Sequence, residues 1–179
     1  MPLQRRWREG AAASTTPSAD PDDTDAAEAV AQRVLAASEK SCRELRERLQ
    51  QRGFSAATAA AAVDRLAARG WADDLRLAEM LVRRGLASGH GRVRVIAELR
   101  ARGATDAAIA RAIDLLAGRE MEAARTALRR LRHGQAASAD GEAARRLSAA
   151  LQRRGFGPAE IRAALRDPGD GATPTATHP

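Results

Sequence analysis

The chain has 179 residues, of which 44% are hydrophobic but only 2% aromatic, and it carries a formal net charge of +7. Because most of the apolar residues are alanines, the core has to consist of scattered Leu, Val and Ile packed on alanine-rich helices, which favours several small modules over one large domain. No apolar run approaches the roughly 20 residues of a membrane span, and the single cysteine, Cys42, excludes an intramolecular disulfide.

The positive charge favours a polyanionic partner. A surplus of this size is typical of proteins that meet nucleic acid or an acidic protein surface. Of the 30 basic residues only Lys40 is a lysine, so an arginine-rich coding bias is the alternative explanation of the charge. The arginines near the start are not followed by the apolar stretch of a secretory signal. We therefore expect a cytoplasmic protein.

Both ends of the chain are predicted to be disordered tails. Residues 1–24 are rich in Ala, Ser, Thr, Pro and Asp and show no helical periodicity, and residues 167–179 behave likewise. Between the tails helix signals occur throughout, and no strand is predicted.

The first segment, residues 25–70, predicts three helices. Apolar residues at helical spacing predict the first helix over residues 26–37. Ser41 and Glu44 have the spacing of a capping box, which predicts that the second helix begins there. A glycine then closes that helix in the left-handed conformation, and Ser55 can cap a third helix.

The same pattern recurs in residues 71–118 and 119–166. Gly53, Gly103 and Gly155 align three segments without gaps, and they are 50 and 52 residues apart: "LRERLQQRGFSAATAAAAVDRL", "VIAELRARGATDAAIARAIDLL" and "LSAALQRRGFGPAEIRAAL". The apolar residues four and eight positions before each glycine share one helix face. Each glycine is therefore predicted to separate the second helix of a repeat from the third.

An additional helix precedes each of the later pairs. One is predicted over residues 74–85, with Asp73 or Asp74 as its N-cap, and another over residues 119–132. Thr105 and Pro158 suit the start of the last helix of their repeats. The sequence thus predicts an all-α protein of three tandem three-helix repeats forming an elongated, curved modular array.

The stretch "GHGRVRVIAELRARG", residues 89–103, first suggests a phosphate-binding loop. Gly89 and Gly91 do not complete a dinucleotide fingerprint, because position 94 is an arginine and a helical segment precedes them. The pattern around Val95 favours a helix that begins after the two glycines. His90 is predicted to be an exposed turn residue, since no His or Cys spacing suits a metal.

Arg92 and Arg94 oppose the macrodipole at the start of that helix, by about 0.3–1 kcal/mol each, so helix stability does not explain them. One hypothesis is that they and the free backbone amides of the first turn receive an anion, either a phosphate or a partner carboxylate. The alternative is that arginine is simply abundant in this chain. The two interpretations remain equal at this point.

No enzyme is predicted. The sequence shows no carboxylate pair, no nucleophile with a base and no metal cluster, so we expect neither a catalytic residue nor a cofactor nor a metal. Asp73 and Asp74 are interpreted as helix-capping residues.

Residues 71–103, "WADDLRLAEMLVRRGLASGHGRVRVIAELRARG", resemble the middle of the RecX family, bacterial regulators of the RecA recombinase. The matching elements are the pair Asp73 and Asp74, the step from Arg76 to Ala78, Gly89 and Gly91, and then Arg94, Glu98, Leu99, Arg102 and Gly103. The segments "CRELRERLQQRGF" and "LQRRGF" are similar to the first and third family repeats, so the likeness covers about residues 26–166. Leu77 and Leu81 depart from the family, which usually has aromatics at these positions.

The resemblance implies a monomeric, non-enzymatic protein of homologous recombination, DNA repair and the SOS response. It would bind the RecA filament on single-stranded DNA, contact that DNA directly or through the filament, and limit filament growth, ATP hydrolysis, strand exchange and co-protease activity. The expected contacts are exposed arginines of the central repeat: Arg83, Arg84, Arg92, Arg94, Arg100 and Arg102. The alternative for Arg83 and Arg84 is a solvated helix end, where positive charge suits the helix dipole. The alternatives are a DNA-binding regulator of helix-turn-helix type, although residues 106–117 lack a base-reading set of side chains, and a passive helical adaptor.

Overall fold

The structure, a computed structural model, describes residues 20–132 and 141–167, and within these ranges all regular secondary structure is α-helical. The helices are α1 (Thr24–Ala37), α2 (Cys42–Gln50), α3 (Ala56–Ala68), α4 (Asp74–Ala87), α5 (Arg92–Ala101), α6 (Asp106–Leu116), α7 (Glu120–Arg132), α8 (Gly141–Arg153) and α9 (Pro158–Arg166). The predicted all-α class and the three tandem groups of three helices are confirmed. The predicted disordered tails lie outside the described residues, except for residues 20–24 and Asp167.

Residues 20–24 take part in the fold, although they were predicted to end the N-terminal tail. Asp23 is the N-cap of α1 and its carboxylate accepts the Ala26 N–H at 2.9 Å. The carbonyl of Pro21 accepts the Ser55 N–H at 2.9 Å, which ties this segment to the start of α3. Composition and periodicity did not identify residues 20–24 as part of the fold, because helix capping depends on a few polar atoms and not on apolar periodicity.

The chain divides into two compact units between Asp73 and Asp74. The first unit contains α1 to α3, and its core includes Leu45, Leu49, Val63 and Leu66, none of which is more than 1% exposed. The predicted capping box is present in this unit: the Glu44 N–H donates to Ser41 Oγ at 3.0 Å, and the Ser41 N–H donates to Glu44 Oε2 at 2.8 Å.

The second unit contains two groups of three helices, α4 to α6 and α7 to α9, each with its own core. Leu99 and Leu116 lie in the first of these cores, and Leu128 and Leu151 lie in the second; all four are fully buried. Leu86 near the end of α4 packs against both cores. The two groups are therefore in direct contact within this unit.

The same turn follows the second helix of all three groups. Gly53, Gly103 and Gly155 have φ values of 93°, 66° and 87°, the left-handed region in which a side chain is unfavourable. The residue after each glycine donates its N–H to the carbonyl of the buried leucine four positions before that glycine, over 3.0–3.3 Å. This bond closes the last turn of the helix, and the predicted helix–glycine–helix repeat is confirmed.

Polar side chains begin the helices that follow these turns. Ser55 and Thr105 accept the N–H groups of Thr58 and Ala108 at 3.2 and 3.3 Å, and proline occupies the first position of α9. Asp74, the first residue of α4, is 7% exposed and its carboxylate accepts the Thr105 N–H at 3.0 Å. Asp74 thus connects the start of α4 to the start of α6.

Candidate partner-binding surface

The six arginines predicted to contact a partner all lie in the second unit. Arg83 and Arg84 are near the end of α4, Arg92 and Arg94 are in the first turn of α5, and Arg100 and Arg102 are at its end. Arg102 is half-buried, and the other five are exposed. The structure therefore leaves most of these guanidinium groups accessible to a partner.

These arginines differ in what they already bind. Arg84 forms an ion pair with Glu98, and Arg92 Nη1 lies 3.9 Å from Glu120 Oε1. Arg83, Arg94 and Arg100 form no ion pair with any of the described residues. Binding an anion at these three arginines would break no ion pair among the described residues, whereas Arg84 would first have to leave Glu98.

The hypothesis of a corner with free backbone amides at the start of α5 does not hold for the amides of Gly91 and Val93. The Gly91 N–H donates to the Arg154 carbonyl at 2.8 Å, and the Val93 N–H donates to the Gly155 carbonyl at 3.1 Å. The turn between α8 and α9 therefore occupies the place at which an anion was expected. Sequence could not show this, because the acceptors lie more than 60 residues away along the chain.

The Gly89–Gly91 stretch is instead the joint between the two groups of the second unit. A Cβ atom on Gly91 would overlap the Gly155 carbonyl and lie 2.5 Å from the Phe156 nitrogen. A Cβ atom on Gly155 would lie 2.5 Å from the Arg94 nitrogen and 2.7 Å from its Cβ. Glycine at both positions lets the two backbones approach closely enough to form hydrogen bonds.

Two arginines of the last group complete this joint. Arg130 Nη1 donates to the Ala87 carbonyl at 2.7 Å, and Arg154 Nη1 donates to the Ser88 carbonyl at 3.3 Å. These carbonyls stand at the end of α4, where a helix leaves acceptors without intrahelical donors and where positive charge is favourable. Sequence reasoning missed this structural role, because arginine was interpreted either as a partner contact or as a consequence of coding bias.

His90 lies inside a group of positive charges and is half-buried, not exposed as predicted. Its partial burial lowers the pKa of the imidazole below 6.5, the nearby guanidinium groups of Arg94 and Arg154 lower it further, Glu98 opposes them, and Arg84 adds a smaller lowering effect. The imidazole is therefore neutral at neutral pH. Of the arginines around His90, Arg84 and Arg94 are among those predicted to contact a partner, whereas Arg154 is not.

Replacing His90 with glutamine is expected to reduce the loss of stability on acidification. Because the folded-state pKa is lowered, the folded state disfavours protonation; the stability that the neutral ring contributes is fully present above pH 6.5 and is lost as the pH falls through the lower, folded-state pKa. Urea unfolding at about pH 7.5 and about pH 5 measures the difference. Parallel losses in the variant and the parent protein would show that His90 does not sense pH.

Val93 is an exposed apolar residue that sequence reasoning did not assign to the surface. It is 64% exposed and stands between Arg92 and Arg94 in the first turn of α5. Its angular position away from Val95 and Leu99 was the signal that could have identified it. An aliphatic side chain flanked by two guanidinium groups suits a partner with both apolar and acidic groups.

Residues 20–132 and 141–167 contain no group of three or more His, Cys, Asp or Glu side chains that could hold a metal ion. None of the helices in those ranges is both long and apolar enough to cross a bilayer.

Comparisons with known proteins cover most of the chain. The family models for the first, second and third three-helix domains of RecX match residues 27–66, 73–113 and 119–165. Regulatory protein RecX of Stenotrophomonas maltophilia strain K279a is 43% identical over 138 residues, which are 76% of this chain and 84% of the relative. Regulatory protein RecX of Xanthomonas axonopodis pv. citri strain 306 is 40% identical over 133 residues, or 74% of this chain and 82% of the relative.

Solved structures show the same fold. The crystal structure of RecX from Lactobacillus salivarius matches with a TM-score of 0.72 and 17% identity, and covers 81% of this chain and 96% of that chain. A second crystal structure, of regulatory protein RecX, matches with a TM-score of 0.68 and 15% identity, and covers 80% of this chain and 73% of that chain. With three consecutive domain matches and relatives at about 40% identity, the chain belongs to the RecX family of regulatory proteins.

Proposed function

We propose that this protein is a non-enzymatic, monomeric regulator in the cytoplasm that binds the RecA filament on single-stranded DNA. It limits filament growth, ATP hydrolysis, strand exchange and co-protease activity. The observation that carries this proposal is the match of all three RecX three-helix domains, in order, to residues 27–66, 73–113 and 119–165.

The charge of the second unit supports a polyanionic partner. Arg83, Arg94 and Arg100 are exposed and form no ion pair with the described residues. A filament on DNA presents phosphates and acidic side chains, and a guanidinium group binds both without a change in its own protonation. We therefore assign the main contacts to these three arginines, and smaller contributions to Arg84 and Arg92, which already have acidic neighbours.

The exposed side of α6 argues against a helix-turn-helix protein that reads bases. It carries Asp106, Asp114 and alanines, and its one arginine, Arg111, is bound to Glu79 with Nη2 and Oε1 2.9 Å apart. Carboxylates repel the phosphate backbone, and alanine offers no hydrogen bond to a base edge. A sequence-selective footprint on duplex DNA would contradict this argument.

Reversing the three free arginines is expected to weaken inhibition of RecA. In the variant Arg83→Glu, Arg94→Glu, Arg100→Glu, the protein concentration that halves DNA-dependent ATP hydrolysis should rise at least about tenfold, equivalent to about 1.4 kcal/mol of binding free energy. The assay follows ATP hydrolysis by RecA on single-stranded DNA as the purified protein is added.

A control variant with the same change in net charge distinguishes an effect of where the charges lie from an effect of how many are reversed. Arg145, Arg153 and Arg162 of the last group are also exposed and also lack ion pairs within the described residues. Their reversal changes the net charge equally and is expected to raise the inhibitory concentration much less. Equal losses in the two variants, with native helicity by circular dichroism, would refute the assignment of the contacts.

A further inference from the structure

A groove of about 500 Å³ lies between α1 and α2 of the first unit. Its floor includes Val30, Val34 and Ala37, which follow one another at the spacing of one helix face on α1. Val30 belongs to the core of this unit, and Val34 packs against that core while remaining partly exposed. The floor is therefore an aliphatic surface that α2 leaves partly uncovered.

The rim of the groove carries more free positive than free negative charge. Its two carboxylates are bound within α2: Glu44 accepts the Ser41 N–H at 2.8 Å, and Glu47 pairs with Arg43 at 3.5 Å. Lys40, Arg48 and Arg52 also line the groove and form no ion pair with the described residues. The groove thus has an apolar floor and, at its rim, cationic side chains that no carboxylate of the described residues neutralises in an ion pair.

Helix stability explains only part of this arrangement. Arg48 is in the last turn of α2 and Arg52 follows its C-cap, where positive charge is favourable to the helix dipole. Lys40 precedes the N-cap Ser41, where positive charge is unfavourable. Cations therefore stand at both ends of α2, separated along its axis by about 12–18 Å, or two to three helical turns.

We propose that this groove binds an acidic amphipathic segment of a partner protein. Apolar side chains of that segment lie on Val30 and Val34, and its carboxylates pair with Lys40 at one end and with Arg48 and Arg52 at the other. This arrangement is the helix-in-groove mode of recognition, in which apolar anchors supply affinity and rim charges supply orientation. The inference adds a peptide-binding site to the first unit and does not rest on RecA regulation.

The lining of the groove favours a peptide over a nucleic acid. Single-stranded nucleic acid binds to aromatic side chains on which its bases stack, whereas the groove is lined by none. The carboxylates of Glu44 and Glu47 in the wall would also repel a continuous row of phosphates. Discrete carboxylates at the two ends of an apolar segment avoid both difficulties.

Fluorescence anisotropy with a synthetic peptide tests the proposal on the full-length chain. The probe is a labelled peptide of about three helical turns, with leucines on one face and glutamates near its two ends. It is expected to bind the protein, and the variant Lys40→Glu, Arg48→Glu, Arg52→Glu should weaken binding at least about tenfold. The charge-matched variant Arg145→Glu, Arg153→Glu, Arg162→Glu should change it less than about twofold.

Further variants separate the role of the floor from that of the rim. Replacing the glutamates of the probe with glutamines should weaken binding to the parent protein less than the groove reversal does, because it removes the attraction to the cations without adding repulsion. Val34→Ala should weaken binding of the acidic probe by removing part of the floor. Lys40→Gln, Arg48→Gln, Arg52→Gln should give an intermediate loss, and circular dichroism verifies that each variant is folded.

Three results would overturn the proposal: no binding of the acidic probe, equal weakening by the groove and control reversals, or displacement of the probe by an oligothymidylate whose own binding depends on the groove cations. The last result would make the groove a nucleic-acid site. Because the assay contains no RecA, its outcome is independent of the ATP hydrolysis experiment.

Discussion

Replacing Gly91 with alanine is expected to lower the unfolding free energy of the protein by about 1–3 kcal/mol, the usual cost of inserting a methyl group into a closely packed contact. The added Cβ would overlap the Gly155 carbonyl and approach the Phe156 nitrogen to 2.5 Å. Both are backbone atoms and cannot move aside as a flexible side chain can. The hydrogen bond from the Gly91 N–H to the Arg154 carbonyl would also be strained.

Urea unfolding followed by circular dichroism measures this loss, and Gly141→Ala is the matched control. Gly141 is the first residue of α8, and a Cβ there would meet nothing within 4 Å, so this change should be neutral or stabilise the protein by up to about 1 kcal/mol. If Gly91→Ala were as stable as Gly141→Ala, the close backbone contact between the two groups would not exist in solution.

The double variant Gly91→Ala, Gly155→Ala extends this test. Gly155 has a φ of 87°, and its Cβ would approach the backbone of Arg94, so Gly155→Ala alone should also be destabilising. Because both changes disrupt the same contact, the combined loss should be smaller than the sum of the single losses. Additive losses would show that the two glycines do not share one joint.

Replacing Leu99 with alanine is expected to have the largest effect on stability, a loss of about 2–5 kcal/mol. Leu99 is fully buried in the core of the group formed by α4 to α6. It also precedes the glycine turn, and its carbonyl accepts the Ala104 N–H at 3.0 Å. Alanine would leave a cavity in a closely packed core of Leu, Val, Ile and Ala side chains, which relaxes only in part to fill it.

Val93→Ala on the same helix is the control for Leu99→Ala. Val93 is 64% exposed, so its truncation should change the unfolding free energy by no more than about 0.5 kcal/mol. Thermal and urea unfolding of the two variants give the comparison. Similar losses for both would mean that α5 does not present Leu99 to the core and Val93 to solvent.

The helices and their turns were predictable because the interactions that set them are local. The buried leucines Leu49, Leu99 and Leu151 stand four residues before a glycine, and that spacing alone placed them on one face and ended each helix. The capping box of Ser41 and Glu44 spans four consecutive residues, so its hydrogen bonds depend on the conformation of one short segment.

The candidate site was predictable only in part. Exposure of Arg94 follows from its angular position in α5 away from Val95 and Leu99, which the sequence shows. Whether a guanidinium group is free depends on which carboxylate the fold brings to it, as Glu98 is brought to Arg84. The groove beside α2 escaped sequence reasoning for the same reason, since its floor and its rim belong to different helices.

The sequence by itself determined that this protein consists of three groups of three helices and identified the glycine that turns the chain in each group. These features depend on residues within one or two helical turns of one another. Their spacing along the chain is therefore enough to determine how they are arranged in space. Only the tertiary structure decided that Gly91 meets Gly155, that Arg130 and Arg154 close the end of α4, and that Lys40 stands beside an apolar groove. Those contacts join segments far apart in the chain, and packing in three dimensions selects their partners.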